Sequence, residues 1–270
     1  MKNLKQRYRY AIILLKQIVK TDFMIRYQNS VLGYLWSLLR PLFLFCILYV
    51  IFVDVLKTGG DVPHFGVYLL LGFVLWNYFV EVTVGSVASI VGKGDLMRKV
   101  NFPRYVIVLA GSMSALINLM FNLSVVALFM WLGHAEVNRY ALVFPLLVVE
   151  LFVFALAVSL FLSAAYVRFR DINFIWEVLI QIGFYGTPIL YAFTFITDKS
   201  VLLGKLMMLN PLAQIIQDSR HGLVTSLTTT TGDIFGSNAA YLIPVGIVAL
   251  FAVISVLFFK KASPYFAENV

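Results

Sequence analysis

The sequence predicts an all-α integral membrane protein, and three observations carry that prediction. Of 270 residues, 61% are hydrophobic and 13% charged, whereas soluble domains average about 45–50% apolar and 25% charged. The apolar residues gather into six runs, each at or above the ~20 residues that span a bilayer core as a helix. The basic residues concentrate in alternate loops, as the positive-inside rule requires of a multi-pass chain.

The mean hydropathy of +0.91 agrees with this class. The length suits one transmembrane domain over 1–270 and leaves no room for a separate soluble catalytic domain, so any motor is expected on another chain. The net charge of +8 lies beside apolar segments. There it favours an anionic leaflet and sets topology, and no nucleic-acid partner is expected. Cys46 stands alone in an apolar run, which excludes an intrachain disulfide. The basic amino terminus lacks the short apolar core and small-residue cleavage site of a signal peptide.

Residues 3–26 come first. At 100° per residue, Lys5, Arg9, Lys16 and Lys20 fall within an arc of about 60°, while Ala11, Leu14, Leu15 and Ile18 gather elsewhere, the pattern of an amphipathic interface helix. Ile12 inside the basic arc and Arg7 outside it leave a plain topology-setting flank as the alternative. The stretch Lys20–Leu42 then carries a basic, tyrosine-bearing segment directly into apolar sequence. Six spans are expected at about 31–56, 65–91, 105–132, 140–167, 172–196 and 239–259. Lys57, Arg139, Lys199, Lys205 and Arg220 occupy one set of loops and the remaining bases the other, which places both termini in the cytoplasm.

Residues 198–238 are too polar to span, yet VLLGKLMMLNPLAQII is too apolar for a solvated loop. Two short helices dipping into the outer leaflet and broken at Asn210-Pro211 satisfy both constraints. The following TSLTTTTGD reads as a polar outer loop. No internal repeat and no linker appear.

Catalytic signals are missing. Between Gly85 and Gly92-Lys93-Gly94 the glycines are too widely spaced for a phosphate loop, and Gly94 stands where Ser or Thr would hold Mg²⁺. His64, His134 and His221 map to outer loops without a ligand-spaced partner, so no metal site is expected. Glu81, Glu150 and Glu177 fall inside spans, where an acid is either a structural group with a polar partner or a functional one. The loop Gly92–Arg104 combines a glycine-rich start, a short helical stretch and a Phe-Pro-Arg exit. It is either a basic loop or an ordered surface for an external motor. Arg168, Arg170 and Asp171 mark a tight turn between spans four and five, and Gly186-Thr187-Pro188 interrupts span five, where proline bends the helix.

Five stretches in order, RYQNSVLGYLW, LLLGFVLWNYF, KVNFPR, the Arg-Phe-Arg-Asp-Ile turn with TPILY, and NPLAQIIQDSR, resemble the permease subunits of ABC exporters for O antigen, teichoic acid and capsule. The resemblance covers nearly the whole chain, including FFKKASPYFAENV. It implies a homodimer of six-span subunits in the cytoplasmic (inner) membrane, with an interface helix and outer gate helices between spans five and six. Two nucleotide-binding ATPase subunits would carry ATP and Mg, this chain holding no cofactor and catalysing nothing. The cargo would be an undecaprenyl-diphosphate-linked glycan, O antigen first and teichoic acid or another surface glycan next.

By the same resemblance, Asp95, Leu96, Met97, Arg98 and Lys99, with Arg26, would engage the ATPase. Tyr34, Tyr49, Trp76, Tyr78, Tyr185 and Tyr191 are candidate path residues, and Pro188, Asn210 and Pro211 candidate gating residues. Arg40, before Pro41, departs from the family pattern and either snorkels to the interface or meets the diphosphate of the substrate. The rival reading is an ion-coupled secondary transporter or channel without an ATPase, for which facing intramembrane charges or an inverted repeat would be expected. A membrane glycosyl- or acyltransferase would need an acid or histidine cluster, and only Asp95 and Asp171 are placed for one.

Overall fold

A computed structural model describes residues 2–27, 35–56, 62–99 and 102–266. Every regular element among them is helical. Four helical segments are long and apolar enough to cross a membrane: Phe65–Val87, Tyr105–Leu132, Arg139–Arg168 and Ala239–Tyr265. Two further apolar helical stretches, Leu42–Val55 and Ile172–Gly186, are shorter.

The chain opens with α1 (Lys2–Tyr27). Next, α2 (Leu35–Tyr49) widens into a π-helical turn over Val50–Val55. The second apolar segment forms α3 (Phe65–Val87), α4 (Ser89–Gly92) and α5 (Gly94–Lys99). The sequence predicts one span to residue 91, but α3 stops at Val87. Here hydroxyls compete with the backbone ladder: Ser86 Oγ donates to the Thr83 carbonyl and Ser89 Oγ to the Ser86 carbonyl, both at 2.7 Å.

The third segment, α6 (Tyr105–Leu132), has the predicted bounds. A 3₁₀ turn at Arg139–Val143 leads into α7 (Phe144–Arg168), with proline in its first turn, where no N–H is needed. The fifth segment is α8 (Ile172–Gly186), ten residues shorter at its end than the predicted 172–196. After it come α9 (Thr194–Thr197), α10 (Val201–Met208), α11 (Pro211–Leu223) and α12 (Thr231–Phe235). The last long helix is α13 (Leu242–Ala262).

Helix α3 is the centre of the packing. It is apolar on every side and buried along most of its length, as an all-round hydrophobic helix must be. It lies against α2, α6, α7, α8 and α11. A second cluster forms at one end, where Ala11 and Ile18 of α1 meet Phe102, Val106 and Ile107, with Phe259 and Phe266 closing it. Arg104 donates to the backbone carbonyl of Ser263 there, tying the start of α6 to the end of α13. The basic residues of the α7–α8 turn and of the α13 terminus share this end, called the basic end below.

Helix α8 contributes no buried residue. Its close approach to α3 is at Gly183, where a Cβ would stand 2.9 Å from the ring of Trp76. That ring is itself held by Phe79 and Phe184, at centroid distances of 6.0 and 5.8 Å. Substituting Gly183→Ala therefore cannot be absorbed by a side-chain swing. Overpacking of this kind costs about 1–3 kcal/mol, and a lowered thermal midpoint of the purified chain in detergent is the expected outcome. An unchanged midpoint would show that α8 does not depend on this contact.

Candidate functional site

The site is built on a break in the fifth apolar segment. Thr187 is extended, with φ −103° and ψ 139°, because the residue before a proline is driven out of the helical region. Pro188 then has no N–H to continue the ladder. Backbone carbonyls are left open in the protein interior, where each unpaired one is costly.

Arg220 of α11 answers that need. It is fully buried and donates to the carbonyls of Pro188 and Ile189 and, through Nε at 2.9 Å, to the carbonyl of Tyr68 on α3. Its guanidinium lies over the Tyr68 ring, 3.5 Å from the centroid, a favourable cation–π position. A planar fork of five donors suits several carbonyls at once. The Tyr68 hydroxyl donates to Gln217 Oε1 at 3.1 Å and accepts from the Phe193 N–H at 3.3 Å. Gly72 makes the arrangement possible, since a Cβ there would lie 2.2 Å from an Arg220 nitrogen. One side chain thus joins α3, the break after α8, and α11.

The three candidate gating residues converge here. Pro188 supplies a carbonyl to Arg220. Asn210 caps α11, its Oδ1 accepting from the Leu212 N–H at 3.1 Å, and its amide approaches the Thr187 hydroxyl at 3.4 Å. Pro211 occupies the first turn of α11. Helices α10 and α11 flank Asn210-Pro211, where the sequence places the break between two short helices.

The opposite face of α11 is polar and also buried. Gln214 Nε2 donates to Asp218 Oδ2 at 2.8 Å, and the backbone and hydroxyl of Thr231 donate to the same carboxylate at 3.1 Å. Burial raises Asp218 above the ordinary carboxylate range, with the Gln214 and Thr231 bonds acting against it. Asp233 moves the other way, lowered first by the Thr230 N–H in a capping box that starts α12. Within the TSLTTTTGD stretch, read from sequence as a polar outer loop, Thr225, Thr228, Thr230 and Thr231 are all buried.

Two of the three acids expected inside spans meet a carboxamide. Asn118 donates to Glu81 at 2.8 Å and Asn173 to Glu177 at 2.7 Å, while Glu150 Oε1 is buried with no hydrogen-bond partner among the described residues. Among the path candidates, Trp76 and Tyr78 are buried in the core, and Tyr185 is 71% exposed. Tyr191 donates to the Tyr185 carbonyl at 3.1 Å. Tyr49 is partly exposed, its ring against Gly66 and edge-on to Phe45. Tyr34 lies outside the described residues, as do the side chains of Arg26, Arg40, Leu96 and Lys99.

At the basic end, Lys93 Nζ bonds Asp22 of α1 at 3.1 Å, linking that helix to the turn before α5. In α5, Asp95 and Arg98 are exposed, and Met97 packs against the basic-end cluster. Arg168 and Arg170 cover the rings of Phe169 and Tyr166, and Asp171 precedes α8.

Arg220 is the residue that sequence reasoning missed, counting it only as a loop charge. A signal was present: it follows NPLAQIIQDS, whose apolar positions mark a helix, and it comes after an unsatisfied proline break. Removal of its side chain, Arg220→Ala, leaves the buried carbonyls of Pro188 and Ile189 open, at about 1–3 kcal/mol for each unsatisfied group. Gly72→Ala is expected to destabilise the parent chain but to cost much less in the Arg220→Ala background, where the clash is gone. Thermal midpoints of the four chains in detergent measure that coupling, and additive shifts would refute the packing described.

Three relatives carry the comparison with known proteins. The O-antigen export system permease protein RfbA of Klebsiella pneumoniae is 31% identical over 217 residues, covering 79% of this chain and 82% of the relative. A second RfbA of the same organism is 30% identical over the same shares. The RfbA of Myxococcus xanthus is 27% identical over 212 residues, 78% of this chain and 80% of its own. The sequence also matches the ABC-2 type transporter profile over residues 13–224, more than half of its length, and the chain belongs to the ABC-2 type transporter family.

Proposed function

We propose that this chain is the membrane subunit of an ATP-driven exporter that moves a lipid-linked polysaccharide across the cytoplasmic membrane. O antigen is the favoured cargo, with teichoic acid or another surface glycan next. The observation that carries the reading is the similarity to O-antigen export permeases over about four-fifths of each chain. ATP hydrolysis belongs to separate nucleotide-binding subunits, and this chain, itself no enzyme, works as one transmembrane domain of a homodimer.

In this reading the basic end is cytoplasmic. Helix α1 lies along the membrane surface as an interface helix, and α2 and α8 complete six spans with the four longer segments. Residues Asp95–Lys99 and Arg26 receive the ATPase. The physical support is that α1 and the α4–α5 turn form one packed, ion-paired surface through Lys93, Asp22, Met97 and the basic-end cluster. A motor needs such a surface, because a force applied to an unanchored loop moves only the loop. Helices α10 and α11 dip into the outer leaflet as a gate, with Pro188, Asn210 and Pro211 at the joint. Tyr34, Tyr49, Tyr185 and Tyr191 offer aromatic faces to a sliding glycan, while Trp76 and Tyr78 back them from the core. Arg40 meets the diphosphate, and Arg168, Arg170 and Asp171 form the turn between spans four and five.

The ion-coupled alternative gains little from the structure. Glu81, Glu150 and Glu177 sit on three different helices, α3, α7 and α8, and Glu81 and Glu177 are engaged by amides.

Purification of the tagged chain from its source in mild detergent is expected to recover a stoichiometric nucleotide-binding subunit and ATPase activity. Charge reversal at Asp22 or Lys93 singly should lower glycan-stimulated ATPase, and the swapped pair Asp22→Lys with Lys93→Asp should restore it in part. Recovery of the chain alone and without ATPase activity would refute the exporter reading.

A further inference from the structure

Between Phe144 and Val167 of α7, Glu150 is the one charged residue. It lies where α7 packs against α11, with Gln214 and Asp218 as its polar neighbours. Its Oε1 is buried and has no hydrogen-bond partner among the described residues. A carboxylate oxygen closed off from water without a donor is costly, and such a group neutralises itself instead.

Gln214, 1% exposed, shows the same deficit. Its amide has a donor end and an acceptor end. The donor end goes to Asp218 at 2.8 Å, and the acceptor end, Oε1, is buried without a partner among the described residues. Turning the amide over does not help, because its oxygen would then face the Asp218 carboxylate. Two buried acceptors in one cluster thus lack a donor, and a single proton supplies it. Asp218 needs no proton of its own. Its Oδ2 accepts from Gln214 Nε2 and the Thr231 hydroxyl, and its Oδ1 from the Thr231 N–H.

The surrounding charges do not remove the need. Asp218 is the charge that bears on Glu150, and a neighbouring like charge favours the neutral acid. His221 bears on Asp218 and Asp233, and Tyr241 adjoins the same two acids. Arg220 is committed to carbonyls of α3 and of the break. Of the other helices against α7, α3 brings Glu81, bonded by Asn118, and α8 brings Glu177, bonded by Asn173. Helix α6 carries no charged residue, and Lys260 and Lys261 lie in the last turn of α13, at the basic end. His134, Glu136 and Arg139, on the segment before α7, are exposed.

We propose that Glu150 holds a proton at neutral pH and donates a hydrogen bond to the Gln214 amide oxygen, so that one proton latches α11 to α7. The run Glu150, Gln214, Asp218, Thr231 then carries one negative charge instead of two, and both orphan oxygens are paired. Loss of the proton leaves the orphans open and sets a second carboxylate near Asp218. Because α11 also brings Arg220 to the break, the proton bears on that joint from the α7 side. The inference stands apart from the exporter reading, since it concerns how two helices are fastened, whatever the chain carries.

The sign of the effect follows from linkage. A carboxyl that keeps its proton in the folded chain but releases it at about pH 4.3 when unfolded adds stability that declines as pH rises, until the folded group ionises too. Thermal midpoints of the full chain in lipid nanodiscs, from about pH 5 to about pH 9, are expected to fall by about 3 °C or more. Glu150→Gln, whose amide can donate to Gln214 at any pH, is expected to lose most of that slope and to match or exceed the parent above neutrality. Asp218→Asn should keep it. Infrared spectra at neutral pH should show the carbonyl band of a protonated carboxyl, weakened in Glu150→Gln. A slope that is absent from the parent, that survives in Glu150→Gln, or that disappears in Asp218→Asn instead overturns the proposal. So does a Glu150→Gln chain less stable than the parent at neutral pH, or one whose infrared band is undiminished.

Discussion

Carbonyls freed inside an apolar interior have to be bonded, and at the break after α8 the group that bonds them is Arg220. The consequence is architectural. Proline ends the helix, the freed carbonyls must find donors, and a guanidinium 32 and 31 residues further along the chain supplies them from α11. Because Arg220 is buried without a carboxylate in its described shell, its charge rests on carbonyl dipoles and on the Tyr68 ring. The same ring's hydroxyl joins Gln217 and Phe193 to the assembly. The break and the burial of Arg220 on α11 are thus two sides of one arrangement.

A single rule of polar satisfaction recurs elsewhere. Carboxylates in apolar surroundings are expensive, and Glu81 and Glu177 each accept a bond from an amide. An amide donates a bond without adding a second charge to desolvate, which avoids the larger penalty of burying an ion pair. Thr83, Ser86 and Ser112 bond the carbonyls of their own helices, which settles their protons.

Much of this was legible in the sequence, and the rest was not for identifiable reasons. Periodicity and length place α6 to the residue, and Pro211 after Asn210 marks the start of α11. The end of α3 was obscured because Ile90 and Val91 keep the run apolar while serine hydroxyls undo the helix locally. The shortness of α8 was half readable: Pro188 announces a bend, but whether a helix bends or stops depends on donors elsewhere, and Arg220 lies far along the chain. The threonine run reads as a polar outer loop, and its burial was hidden because polarity reports exposure only on average. Thr231 is buried because Asp218 needs its donors, a fact of tertiary contact.

The distribution of anchoring follows from these constraints and separates what can move from what cannot. At the basic end α1, α6, α7 and α13 share one cluster, and Arg104 pins two of them. Helix α3 is buried along most of its length and serves both ends. Helix α8 differs: Ile172, Trp176, Ile180 and Phe184 are only partly buried where they pack against the core, and Gly183 brings the helix close to Trp76. Beyond its end, the carbonyls of Pro188 and Ile189 are received by Arg220. Elements with few fully buried contacts open at lower free-energy cost, so α8 is less firmly anchored than α6 and α7 on the other sides of α3, and Arg220 is the side chain that ties the break at its end to α3 and α11.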